Sequence, residues 1–416
     1  MGTAIILRGK AERSSLLDEI ASFSRAVSGA FRASETRAED EQGRPLLVLA
    51  IHPAAEPVRI VDLGAGELTI EASTGTAGPG YHEYITELLR GMAEAFGILW
   101  TSITDESGYF ESRDRKALEE AILIWLQTTA HEALALHARG MKGLQLSLPE
   151  GTVFEHEGLI ATPMGPRDHA WLAKTAKEPR QGIDVFPWWE SGQVASTLRG
   201  AALSAMWIDV RWRRPLVTAE RELFERILGW LDHGESLEPD ADWPWREQSE
   251  LLEFLGEESL RATRVHLRAS ALPPAVPLGY RRSPVRVSLS GGWSMRIPGE
   301  FAERWEEPGA WVGWDANRSL WFSSVEVHGA TSSEAAIEAL PPLEGEGELM
   351  ASEHGELLSL ARFEHGEEED GTPVIQLRAQ SVFGSHAAIG TFILLREEDR
   401  DWALETWGTG AYIATH

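Results

Sequence analysis

Residues 269–284 read ASALPPAVPLGYRRSP, and the character of the chain changes across them. Pro273, Pro274, Pro277 and Pro284 each lack an amide proton and push the preceding residue toward extended backbone. Prolines at this density favour a linker over a helix or a central strand. Upstream, long segments carry helical periodicity; downstream, short runs alternate apolar and polar residues. The sequence therefore predicts a mixed α/β region over 1–150 and a mainly helical, tryptophan-rich region over 151–268 packed on it. The Pro-rich linker at 269–284 follows, then an antiparallel-sheet domain with two helices over 285–416. The fold class is α+β: an N-terminal mixed body with a helical middle, then a C-terminal α/β sandwich.

Moving upstream from the linker, WREQSELLEFLGEESLRATRVHL (245–267) predicts one helix and TAERELFERILGWLDHG (218–234) another. A helix over 193–210 places Trp207 on its buried side. The segment 114–140 is a long helix, with Asp114 placed to cap its start and Gly140 to end it. The segment 78–98 begins another helix after a Gly-Pro breaker. VRIVDL (58–63) and ELTIEA (67–72), separated by Gly-Ala-Gly, predict a hairpin. The polar stretch 32–44 reads as a loop before the strand PLLVLAIH at 45–52.

Downstream, the segments at 285–298, 310–329, 357–366, 372–383 and 386–396 read as successive antiparallel strands. One helix fits 332–340, capped by Ser332 or Ser333, and a last one fits 397–407. In VSLSGGWSMRIP (287–298) a strand reaches a Gly-Trp turn, and FILLREEDRDWALETW (392–407) joins the last strand to the closing helix. These stretches and the order of elements resemble the PsbP-like α/β sandwich family, which includes small bacterial chaperone and adaptor domains. The resemblance spans 285–416 and implies a binding module with no catalytic residues to carry over.

Composition narrows the chemistry. Apolar residues make up 43% and charged residues 25%, an ordinary globular balance. With no cysteine, disulfides, thiolate nucleophiles and zinc–cysteine sites are excluded. The formal charge is −27, nearly half of it after residue 280, which argues against nucleic acid and anionic lipid as partners. No apolar run is long enough for a signal peptide or a membrane span, so the expected compartment is the cytoplasm.

Six motifs invite a catalytic or ligand-binding reading. Asp62, Gly64 and Gly66 resemble the first glycine turn of Rossmann-like methyltransferases, but the alternating Glu67–Glu71 stretch that follows is strand-like, and a hairpin explains the glycines more simply. His131 and His137 in HEALALH stand six apart, which turns a helix by about 600° and separates the rings, whereas a zinc-protease helix needs a spacing of four. Glu-His-Glu at 155–157 and Arg167, Asp168, His169 place acids beside histidines, yet no nucleophile elbow or P-loop accompanies them. Tyr81, His82 and Glu83 lie at a helix start. Arg211, Arg213 and Arg214 surround Trp212 in an otherwise acidic region, where pairing with Asp209 or Glu220 is the simpler reading than nucleic-acid stacking.

Tryptophan is the residual signal. Of seventeen, only Trp100 and Trp125 precede residue 170. Trp125, Trp207 and Trp230 sit on periodic apolar positions and read as core. Trp188, Trp189, Trp243, Trp245, Trp305, Trp311 and Trp314 sit near prolines or turns, where they pin loops, close a domain contact or form a partner's hot spot. They are the candidate interaction residues; no catalytic, cofactor or metal residue is assigned. The expectation is a non-enzymatic interaction factor of the bacterial cytoplasm: adaptor, chaperone-like or immunity-type, with a protein partner that is basic if charge governs the contact. The alternatives are a hydrolase or adenosylmethionine-dependent methyltransferase, with its site at Gly64 and Gly66 or at Asp168 and His169, and a structural subunit of an oligomer.

Overall fold

The computed structural model describes residues 3–13, 16–31, 34–141, 143–146, 152–154, 159–307, 309–345, 347–367 and 371–413. The architecture is α+β. The chain divides into two units. One gathers the described residues of Met1–Pro149, His156–Val210 and Ala219–Tyr280; the other gathers those of Glu150–Glu155, Arg211–Thr218 and Arg281–His416. The main division, between Tyr280 and Arg281, falls inside the proline-rich stretch.

The first unit begins with β1 (Ala4–Lys10) and α1 (Leu17–Val27), then β2 (Ser34–Glu39), β3 (Pro45–Ala50), β4 (Val58–Gly64) and β5 (Glu67–Ser73). Next come α2 (Pro79–Phe96), β6 (Leu99–Asp105), the short α3 (Tyr109–Ser112) and α4 (Arg115–Ala138). The six strands form one antiparallel sheet in the order β2-β3-β4-β5-β1-β6. Alternation decides its faces. Ile5, Leu7, Leu47, Ile60 and Ile70 are fully buried, as are Ile20 of α1 and Ile85 and Leu89 of α2, while Ile6, Arg8 and Lys10 are exposed. Each such aliphatic side chain contributes about 1.5–3 kcal/mol on burial.

A strand follows Gly66 directly, so the glycines make a hairpin. Gly64, Ala65 and Gly66 have φ of 86°, 53° and 82°, and a Cβ on Gly66 would stand 2.3 Å from the Ala11 carbonyl oxygen. The methyltransferase alternative at Gly64 and Gly66 is therefore corrected: a strand occupies the place where a cofactor loop needs a helix. The loop expected over 32–44 contains β2, whose Ser-Glu-Thr-Arg-Ala-Glu sequence lacks the apolar alternation that marks a strand because it lies exposed at the sheet edge.

The strand β7 (Thr152–Val153) belongs with the second unit. In the first, β8 (Leu159–Thr162) pairs with β9 (Gly165–Asp168), and α5 (His169–Lys177), α6 (Ala195–Ile208), α7 (Thr218–Leu237), α8 (Trp245–Leu255) and α9 (Leu260–Ser270) follow. The single helix expected over 245–267 is two helices. Gly256 is left-handed at φ 69° and ends α8, and Ser259 Oγ accepts the Ala262 N–H to start α9. Asp114 caps α4 by accepting the Lys116 and Ala117 amides.

In the second unit β10 (Val285–Ser288), β11 (Trp293–Ile297), β12 (Ala302–Glu307), β13 (Ala310–Trp314) and β14 (Arg318–Glu326) precede α10 (Ser333–Ala339). The strands β15 (Leu349–His354), β16 (Leu357–Glu367), β17 (Pro373–Phe383) and β18 (His386–Leu394), helix α11 (Arg400–Gly408) and β19 (Ala411–Tyr412) complete it. Seven strands form an antiparallel sheet, β12-β13-β14-β18-β17-β16-β15, and four form a smaller one, β19-β11-β10-β7. Helix α11 covers the inner face of the larger sheet: Trp407 lies on Gly390, where a Cβ would come within 2.4 Å of the ring. Helix α10 covers one end of the outer face, where Ala336 packs with Val382 and Ala387. Two segments far upstream also serve this unit. Val153 of β7 pairs with Arg286, and Arg211 donates to Glu303 Oε1 at 3.2 Å and to the Phe301 carbonyl at 3.1 Å.

Candidate interaction site

The structure separates the tryptophans that sequence position groups together. Trp188, Trp243, Trp245 and Trp311 are buried, at 0%, 2%, 8% and 2% exposure, and their assignment as contact residues is corrected. Trp188 stacks on Phe31 at 4.7 Å and lies 5.0 Å from Tyr84. Trp243 fills the space over Gly234 and donates to the Glu238 carbonyl. Trp245 lies under the Arg268 guanidinium at 4.4 Å. Trp311 lies opposite Phe322 on the inner face of the seven-stranded sheet. Trp189 is half-buried against Phe186. Of the seven, Trp305 is exposed and Trp314, like Trp189, is half-buried; Trp305 and Trp314 both belong to the second unit.

Register assigns these two to opposite faces. Trp305 pairs with Trp311, on the inner side at the β12 edge, and is 52% exposed. Trp314 pairs with Ser319, and Ser319 with Ile393, on the outer side. Val312, Trp321 and Thr391 form the next row of that outer face. Here the sheet is not covered by α10, and a groove of about 340 Å³ opens, floored by Val312 and walled by Trp314, Trp321, Ile393 and Leu395. Trp321 and Leu395 are each 43% exposed. Arg304 flanks the groove, whereas Arg318 borders it by its backbone and lays its guanidinium over Trp402 at 4.5 Å on the inner side; neither is a free cation. Arg304 pairs with Glu306, and Arg318 with Asp315 at 2.5 Å. The rim therefore presents neutralised charge around an apolar floor, suited to aliphatic or aromatic side chains rather than to a phosphate. Sequence reading missed Trp321, although Trp321 and Phe322 are adjacent in a strand, so one of the two must face outward.

The remaining candidates do not converge. Asp168 caps α5, accepting the Trp171 amide at 2.8 Å; Asp168 and His169 are both exposed. Arg167 pairs with Asp184. Instead of a concave site there is a solvated helix start, which corrects the hydrolase alternative at Asp168 and His169. His137 approaches His169 with ring centroids 5.9 Å apart, and among the described residues no group of three potential metal ligands forms. The Glu-His-Glu motif at 155–157 lies outside the described residues.

His82, by contrast, is fully buried in a polar cluster. Its Nδ1 lies 2.7 Å from Thr74 Oγ1, and its Nε2 lies 3.2 Å from Ser107 Oγ and 3.4 Å from Asp105 Oδ2. Ser107 Oγ donates to Asp105 Oδ1 at 2.7 Å, and Asp105 also accepts the Ser107 and Phe110 amides. Burial alone raises the Asp105 carboxyl, but the hydrogen bonds from His82, the Phe110 amide and Ser107 outweigh it and hold the group well below the usual carboxylate range. Serine and aspartate both stand at Nε2, so the imidazole cannot pass a proton from one to the other along its two nitrogens. The cluster fastens the end of β6 to α2. Asp105→Asn replaces acceptors by a donor there and is expected to cost about 1–3 kcal/mol, measured as a shift in the urea midpoint at neutral pH. No change would remove the structural role.

Neither a protein-family model nor a curated protein matches the chain. A Bacteroides thetaiotaomicron crystal structure is similar at 16% identity, covering 30% of this chain and 47% of that one, with a TM-score of 0.25. The solution structure of cyanobacterial PsbP (CyanoP) from Synechocystis sp. PCC 6803 is similar at 11% identity, covering 34% of this chain and 99% of that one, with a TM-score of 0.22. The chain thus spans less than half of the Bacteroides protein. The PsbP likeness is weak at this identity and score. Among the described residues, no helix is long and apolar enough to cross a membrane.

Proposed function

We propose that this protein is a non-enzymatic interaction factor, adaptor- or chaperone-like, that holds an extended apolar segment of a partner protein on the outer face of its seven-stranded sheet. The observation that carries this reading is the half-covered face. Helix α10 closes one end, while Trp314, Trp321, Ile393 and Leu395 line an open groove at the other. Exposed tryptophan beside aliphatic side chains is the composition of an interface hot spot. Charge sets the partner's flanks. The chain carries −27 and the groove's own arginines are paired, so basic residues on either side of the bound segment speed encounter and select for it.

A photo-crosslinking residue placed at Trp321 or at Leu395 in the native host is expected to trap one and the same protein. The same residue at Arg8, on the exposed face of the first unit's sheet, should not trap it. Identical captures from all three positions would overturn the proposal. Trp321→Ala is expected to abolish that capture while costing about 1–2 kcal/mol, below the roughly 3–5 kcal/mol of a fully buried aromatic, because 43% of the residue is already exposed. Loss of capture accompanied by a large fall in melting temperature would assign Trp321 to the core instead.

A further inference from the structure

Beside helix α7 the first unit holds a cavity of about 580 Å³, a size suited to a small molecule. One wall is the turn that follows α1, and that wall is fixed. Gln193 Oε1 accepts the Ala30 N–H at 3.2 Å, and Gln193 Nε2 donates to the Ser28 carbonyl at 3.1 Å. Trp230 Nε1 donates to the Ala30 carbonyl at 2.9 Å. The other wall is the face of α7 that carries Glu222, Glu225, Arg226 and Gly229.

Packing explains neither Gly229 nor Arg226. Gly229 stands in the middle of a 20-residue helix, where glycine is less favourable than alanine. No neighbour requires it, because a Cβ there would meet nothing within 4 Å; a side chain would only take up room in the cavity. Arg226 is a cation in a chain whose acids outnumber its lysines and arginines by 65 to 38. Glu222 stands four residues before it, the favourable spacing for a helical ion pair. Arg221 and Glu225 use that spacing, yet Arg226 and Glu222 make no ion pair among the described residues. Guanidinium and carboxylate both border the cavity instead.

We propose that this cavity binds a free α-amino acid, with the ligand's carboxylate on the Arg226 guanidinium and its ammonium on Glu222, beside Glu225. The two signs select a zwitterion. The planar guanidinium fork matches a carboxylate and opposes a purely cationic ligand. The two glutamates accept an ammonium and oppose a purely anionic ligand such as phosphate. An α-amino acid carries both charges on one carbon, which suits groups one helical turn apart; a longer peptide separates them. Gly229 leaves room for that carbon, and Ala30 and Trp230 give the lining an apolar part for the ligand's side chain.

Titration calorimetry of the full chain with each of the common α-amino acids is expected to find at least one that binds with a Kd below about 1 mM. Its N-acetyl and carboxamide derivatives, each lacking one charge, should bind at least about tenfold more weakly, as should the amino acid itself to Arg226→Gln. Gly229→Leu should abolish binding and at the same time raise the melting temperature of the ligand-free chain, because leucine is the better helix former where nothing obstructs it. Trp321→Ala, in the other unit, should leave the affinity unchanged. Binding by none of the amino acids overturns the proposal. So does unchanged affinity in a folded Gly229→Leu variant, or a ligand that binds equally well after N-acetylation.

Discussion

Trp188→Ala is expected to destabilise the first unit by about 3–5 kcal/mol, the range for removing a large buried aromatic side chain. The ring has no exposed surface. It stacks on Phe31, is flanked by Tyr81 and Tyr84, and donates its indole N–H to the Gly192 carbonyl at 3.0 Å. The backbone is held as firmly. Trp188 N–H donates to the Ala77 carbonyl at 2.9 Å, and Gly80 N–H donates to the Trp188 carbonyl at 3.1 Å. Glycine makes this approach possible. A Cβ on Gly80 would lie 2.1 Å from the Glu190 carbonyl oxygen, and one on Gly200 would lie 2.1 Å from that of Pro187. Side chain and loop cannot collapse into the space left by alanine without losing these bonds, so the cavity cost adds to the transfer cost. Native-state hydrogen exchange of the α2 amides reads the loss in this unit specifically. A change below about 1 kcal/mol would show that the loop rests on the surface instead of locking it.

Acid should weaken the same unit through His52. This imidazole is buried beside Phe31, Tyr81 and Trp188, and its Nδ1 accepts the Ala54 amide at 3.1 Å. Burial disfavours the charged form and pushes its pKa down to about 3 from 6.5. Above pH 6.5 the ring is neutral in both the folded and unfolded chain, and its contribution is fully present. As pH falls from 6.5 toward 3 the unfolded chain takes up a proton that the folded chain refuses, so stability drops, by up to about 1.4 kcal/mol per pH unit. Between pH 7 and pH 5 the expected loss is about 2 kcal/mol. His52→Asn keeps an acceptor for the Ala54 amide and removes the titration, so its stability should be flatter over that interval. Equal slopes in the two proteins would mean that His52 gains a proton without unfolding. The Asp105 carboxyl acts in a different window: held low in the fold, it supports stability above about pH 4 and loses that support only in stronger acid.

The elements that sequence revealed are those whose cause is local. Asp114 sits two and three residues from the amides it accepts, and the Gly64–Ala65–Gly66 turn lies between two alternating runs. Both can be read without knowing anything distant. The strand β2 was hidden because an exposed edge needs no apolar face, and the break at Gly256 was hidden inside continuous amphipathic spacing. The burial of Trp188 depends on Phe31, Gly80 and Tyr84, all more than a hundred residues upstream, and nothing in the Pro-Trp-Trp context discloses them. For the groove, Trp314 was accessible to reading as a turn tryptophan. Trp321 required the strand register, and Leu395 required knowing that α10 stops short of it.

The segments Glu150–Glu155 and Arg211–Thr218, which belong with Arg281–His416, give the chain an order of assembly. During synthesis from the N-terminus, β7 leaves the ribosome well over a hundred residues before β10, the strand it pairs with, and Arg211 emerges about ninety residues before Glu303. Neither can make these contacts until the rest of the first unit has been made. A fragment started in the proline-rich stretch would lack both, leaving one side of β10 bare and Glu303 without its Arg211 contact. The second unit is thus a late-completing structure whose first pieces are among the early products of translation.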